Sequence, residues 1–167
     1  MLRIRFIVII LSILVKGVFA QNNDLNQAWD SVFSNPSFSE KIVDSFIAKK
    51  NNDETSDLYE VYRLKGIVNV LQGNLEVAES SFLKATEYAI PDTFKVIQNQ
   101  LDLGRCVGEK GDKKTQLKYL QQAFTWNNGK LNKNTVRIYS ILSTYYASIN
   151  LFDEAVITER SKKEMDA

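Results

Sequence analysis

Leu58 to Pro91 reads LYEVYRLKGIVNVLQGNLEVAESSFLKATEYAIP. Its apolar residues recur at helical spacing on both sides of Gly73-Asn74, a pair suited to a tight turn. Ala78, Phe82 and Ala85 stand at i, i+4 and i+7, so they share one face of the second helix. Gly66, near the middle of the first helix, and Ala78 are small enough to let two helix backbones approach closely. Phe82 then fills the space beside them. The stretch therefore predicts two helices packed against each other, with Ala78 and Ala85 buried in the contact and Glu79 exposed.

The same landmarks recur. Gly66 and Gly104 lie 38 residues apart, and the pairs Gly73/Gly111 and Ala85/Ala123 keep that spacing. A third copy follows at 39, where Ser143 succeeds Gly104, Asn150 succeeds Gly111 and Ala155 falls where Ala78 stood. Asn tolerates the left-handed backbone that Gly otherwise supplies. A helix–turn–helix unit with small residues at these places resembles the tetratricopeptide repeat, whose period is about 34 residues. Tyr62 occupies the usual Trp position, Gly66 matches, and Ala78-x-x-x-Phe82 with Ala85 matches the second helix. Lys65 and Asn69 depart from the usual Leu and Tyr, and Pro91 falls one place late. The longer period predicts lengthened helices.

The resemblance implies an all-α, tetratricopeptide-like solenoid of antiparallel helix pairs, in which stacking buries stripes that no pair buries alone. The expected units are residues 56–91, 92–130 and 131–167. Before them, 21–55 reads as a divergent helix pair or cap. There Leu25, Ala28, Trp29, Val32 and Phe33 form one stripe, Asn35-Pro36 ends it, and Ser37-x-x-Glu40 reads as a capping box for the next helix. Phe94, Ile97 and Leu101 mark the first helix of the second unit, and Leu117, Leu120 and Phe124 its second helix. The aromatics Trp126, Tyr139, Tyr145 and Tyr146 read as core.

Residues 1–20 are set apart. Arg3 and Arg5 precede the apolar run Phe6 to Val15, and Val18-Phe19-Ala20 fits the small-x-small rule for cleavage after Ala20. The segment reads as a signal peptide, with an uncleaved membrane anchor as the alternative, since Lys16 is unusual before a cleavage site. The expected location is therefore periplasmic or secreted, or membrane-anchored. The segment holds three of the chain's cations and no acid, so the net charge of +1 becomes −2 without it. That balance offers no long-range attraction for nucleic acid.

Catalytic chemistry is poorly supplied. The chain has no His and one Cys, which removes imidazole bases, a disulfide framework and Cys-based zinc clusters. Neither a calcium loop nor a Gly-rich phosphate loop is present. Cys106 reads as a buried, inert thiol. No cofactor or metal is expected, and an exported helical enzyme is the outlying alternative.

The resemblance implies a partner surface on the concave side, at the second, fifth, ninth and twelfth residues of each repeat. Counted this way, Arg63, Ile67 and Val70 fall there in the first repeat, Leu101 and Arg105 in the second, and Arg137 in the third. The arginines would attract an acidic segment or carboxylate, and the apolar residues would supply contact between them. The Lys and Asn set of a chaperone-type carboxylate clamp is absent. Exported arrays of this kind form the sensing end of longer bacterial signalling proteins, so a scaffold or a sensing segment is expected. A spacer without a ligand is the other reading. The charged stretch Glu159 to Asp166 fits either a polar cap or a chain that continues.

Overall fold

The computed structural model describes residues 24–48, 58–130 and 132–166, with the side chains of 152 and 162–166 excepted. The expected signal peptide and the linker before Leu58 lie outside them. Helices are the only regular structure among the described residues, and they divide into two units, Met1–Lys50 and Asn51–Ala167.

In the first unit α1 (24–31) and α2 (Pro36–Ala48) pair through small residues. Ser39 is buried and donates its hydroxyl to the Ala28 carbonyl at 2.8 Å, and Ser31 Oγ lies 3.1 Å from Ser39 Oγ. Leu25, Ala28 and Val32 are buried as the stripe predicts, but Phe33 lies past the helix end and faces outward. The start of α2 differs from expectation. Asn35 Oδ1 accepts from Phe38 N at 3.2 Å, so Asn35 caps α2. Pro36 takes the first helical position, where its missing N–H costs nothing.

The second unit is three helix pairs: α3 (Leu58–Leu71) with α4 (Leu75–Ala89), α5 (Thr93–Glu109) with α6 (Lys113–Asn127), and α7 (Lys133–Ser148) with α8 (Phe152–Asp166). Each pair is joined by the same turn. Gly73, Gly111 and Asn150 have φ of 78°, 86° and 64°. In each turn an N–H reaches back to the carbonyl five residues earlier: Asn74 to Asn69 at 2.8 Å, Asp112 to Val107 at 3.0 Å, Leu151 to Tyr146 at 2.9 Å. This is the closure of a helix by a left-handed residue, which satisfies carbonyls the helix leaves open. The second helices begin at Leu75, Lys113 and Phe152, which keeps the 38- and 39-residue spacing. Much of the extra length goes into α5, at 17 residues the longest helix of the six. Asp92 caps it, accepting from Phe94 N and Lys95 N.

The core forms between pairs as well as within them. Ala78, Phe82, Leu103 and Cys106 make one cluster, which links α4 to α5. Ile97, Leu101, Leu120, Ala123, Ile138, Ile141 and Tyr145 make another, spanning α5, α6 and α7. Gly66 is needed for the first. A Cβ placed there would come within 2.4 Å of the Phe82 ring, so the ring lies directly on the backbone of α3. Burial also raises the Cys106 thiol to about 11, so it stays protonated at neutral pH.

Several expected core residues face outward. On α6 Ala123, not Phe124, makes the helix contact, as Ala85 does on α4, because only a small side chain fits there. Phe124 and Trp126 are exposed in consequence. Phe94 is also exposed, since α5 begins before its packed stretch and Val96 and Ile97 take the inner positions. Glu79 is half-buried, and Lys110 reaches it across the α4–α5 contact at 2.8 Å.

Candidate protein-binding surface

The first helices of the three pairs, α3, α5 and α7, lie side by side, and polar residues from all three meet at one place. Arg63 of α3 donates from Nε to Asp102 Oδ2 of α5 at 2.6 Å. Both side chains are about nine-tenths buried, at 10% and 9% exposure. Gln98, one turn before Asp102, sits between Arg63 and Arg137 of α7. Guanidinium groups only donate, so the amide turns its oxygen to them. It accepts from Arg63 Nη1 and Nη2 at 3.2 and 3.1 Å, and from Arg137 Nη1 at 3.2 Å. The other end of the amide lies 3.3 Å from the Tyr59 hydroxyl, which donates to the Lys95 carbonyl at 3.0 Å. Burial pushes the Tyr59 phenol far above its ordinary range, against the opposing pull of Arg63.

Charge around Arg137 is unbalanced. Burial lowers its guanidinium from the ordinary value, and Asp102 acts the other way. Arg63 and Arg105 both repel it, and Asp102 is already bonded to Arg63. Arginine nevertheless stays charged in proteins. A half-buried cation with one shared carboxylate nearby is a place where a further anion gains more than at an open surface.

The six residues expected on this surface fare differently. Arg63 and Arg137 are brought together, but Arg63 is held in a buried ion pair and is not an open groove contact. Arg105 is exposed, one turn beyond Asp102 on α5. Leu101 is a correction: it is 1% exposed and packs with Leu120 and Ile138 inside the array. Ile67 and Val70 are half-buried and lean on the cluster of Ala78, Phe82, Leu103 and Cys106. They belong to the packing between helices more than to the groove.

Two residues escaped the repeat count. Asp102 lies 39 residues from Arg63, one more than the repeat spacing, so counting placed Leu101 in its position. Gln98 falls on a concave position by the same count, but nothing in its type marks it as the bridge. A buried acid in a helix otherwise rich in Leu, Ile and Val was the available signal. Among the described residues no three His, Cys, Asp or Glu side chains gather as a metal site. No helix among them is long and apolar enough to cross a membrane.

Three stacked helix pairs with left-handed turns at one spacing define a tetratricopeptide-like α-solenoid. The solved structure of MamA has a similar fold, with a TM-score of 0.63 over 93% of this chain and 83% of that one, at 16% sequence identity. At that identity the likeness is one of fold. No protein-family model matches the chain, and no curated protein matches it.

Proposed function

We infer that this chain is a protein- or peptide-interaction module that holds an acidic segment against α3, α5 and α7. The observation that carries the reading is Arg137, half-buried beside an Asp102 that Arg63 already occupies. A carboxylate arriving there meets a guanidinium able to bind it with two parallel hydrogen bonds. Arg105, exposed on the next turn of α5, extends the same attraction. The fold supports a partner of this kind, because stacked helix pairs present a long surface and no catalytic set.

The test is direct. A fluorescent decapeptide of Asp and Glu is titrated against the protein at low and at physiological salt, with anisotropy as the readout. Binding is expected at low salt and is expected to weaken as salt rises, since the screening length falls to about 8 Å at physiological strength. Arg137→Glu is expected to abolish it. Lys118→Glu, exposed on α6, is expected to leave it nearly unchanged. Equal affinity in the two variants would remove the arginine surface from the account.

The module is further proposed to work outside the cytoplasm, as a scaffold or as the sensing part of a signalling protein. The support is the basic start, apolar run and Val18-Phe19-Ala20 of the first twenty residues. Intact-mass measurement on protein from the native host is expected to show a chain beginning at Gln21. A mass that retains Met1 to Ala20 would replace export with anchoring.

A further inference from the structure

A cavity of about 320 Å³ opens where α5, the start of α6 and α7 come together. Arg105 and Glu109 line it from α5, Lys113 and Gln116 from α6, and Ser140 and Thr144 from α7. It is at the small end of ligand pockets, which span about 300–1,000 Å³, so a small molecule fits it better than a folded element does. The cavity is built at its base. Gln116 is only 6% exposed, and its amide lies against the backbone of Gly108, where a Cβ would come within 2.4 Å of Nε2. Gly108 thus gives up a side chain to seat that amide. Even so, Gln116 Oε1 is buried with no hydrogen-bond partner. Leaving such an acceptor unpaired is costly, and an arriving N–H relieves it.

The lining therefore asks for two things at once. Arg105 and Lys113 ask for anionic oxygen. Gln116 Oε1 and the Glu109 carboxylate ask for an N–H donor, and a cationic one suits both. A simple inorganic anion satisfies the first pair and is repelled by Glu109. A neutral polyol leaves the two cations unpaired. We propose that this cavity is a binding site for a free acidic α-amino acid. Its carboxylates face Arg105 and Lys113, and its ammonium faces Gln116 Oε1 and Glu109. Three charged side chains line the cavity with a net +1, and a dicarboxylic amino acid carries −1 at neutral pH. Lys113 is positioned for this by the turn it follows, with Nζ 3.4 Å from the Gly108 carbonyl. The proposal does not rest on the acidic-segment reading, because Arg137 does not line this cavity.

The experiment is a titration of the isotopically labelled protein with L-glutamate at low salt, followed by amide NMR. Saturable shifts are expected at Gly108 and at the Gln116 side chain. Glutarate, which lacks the ammonium, is expected to bind about tenfold more weakly, the loss of roughly one charge-assisted hydrogen bond. Gln116→Met keeps the shape of the side chain and is expected to lose the preference for glutamate over glutarate. Arg105→Gln, at an exposed position with no packing role, is expected to weaken both ligands. Equal binding of glutarate and glutamate would reduce the cavity to an anion site and overturn the proposal. So would shifts no larger than those from sodium chloride at equal ionic strength. If Gln116→Met fails to fold, the glutarate comparison and Arg105→Gln decide the matter on their own.

Discussion

Asp102→Ala is expected to cost about 3–5 kcal/mol of stability, because it leaves the buried Arg63 guanidinium without its carboxylate. The pair joins α3 to α5 through a 2.6 Å bond between side chains that are both largely buried. Removing the acid returns none of the free energy spent in taking the arginine out of water. Gln98 keeps its contacts to Arg63, but a neutral amide does not replace the charge. Urea unfolding followed by circular dichroism measures the loss as a lower midpoint. A second variant separates the ion pair from the site itself. Arg63→Met with Asp102→Leu removes both charges together, and such replacements are often neutral or stabilising. It is expected to recover most of the loss. A midpoint for Asp102→Ala within 0.5 kcal/mol of the parent, after conversion, would mean that Arg63 turns to water at little cost.

Ala78→Arg is expected to be similarly damaging, at roughly 3 kcal/mol or more from overpacking and burial of charge. Ala78 is fully buried, and it packs with Phe82, Leu103 and Cys106 where α4 meets its neighbours. The long side chain has no route to solvent there without separating the helices. Leu83→Arg is the proper comparison, since Leu83 lies on the same helix and is 48% exposed. Glu79 does not serve, because it pairs with Lys110 of α5. An unchanged urea midpoint for Ala78→Arg would refute the packing of α4 described above.

The helix pairs were legible in the sequence because their determinants are local. A left-handed turn needs Gly or Asn, and Gly73, Gly111 and Asn150 announce it at one spacing. A close helix contact needs small residues, and Ala78 and Ala85 supply them. The surface was less legible because its determinants are rotational. Each residue along a helix turns the side chain by about 100°, so an offset of one place exchanges Leu101 for Asp102. One of these joins the core and the other joins Arg63. Deciding between them requires knowing how α5 is rotated against α3 and α7, which no spacing within α5 supplies. The same limit sent Phe94 and Phe124 outward against expectation. Their hydrophobicity was plain, but the inner positions went to Val96, Ile97 and Ala123. Gln116 shows a further kind of silence. It is a polar residue in a polar stretch, and its burial depends on Gly108, eight residues earlier and across a turn.

The three turns bear on how the array assembles. Each closes over six residues with a backbone hydrogen bond and a left-handed residue at the corner. The entropy lost in closing a chain rises with the length enclosed, so bringing α3 onto α4, α5 onto α6 and α7 onto α8 requires closing only short loops. Contacts of low sequence separation favour rapid folding. The slower encounter is between pairs, where Phe82 must find Leu103, and Leu101 must find Ile138. In an array of this kind the stack can start from any pair that has formed and spread to the next. The ion pair of Arg63 and Asp102 lies across one of those junctions. Besides holding a finished structure together, it helps fix the register in which the second pair settles on the first.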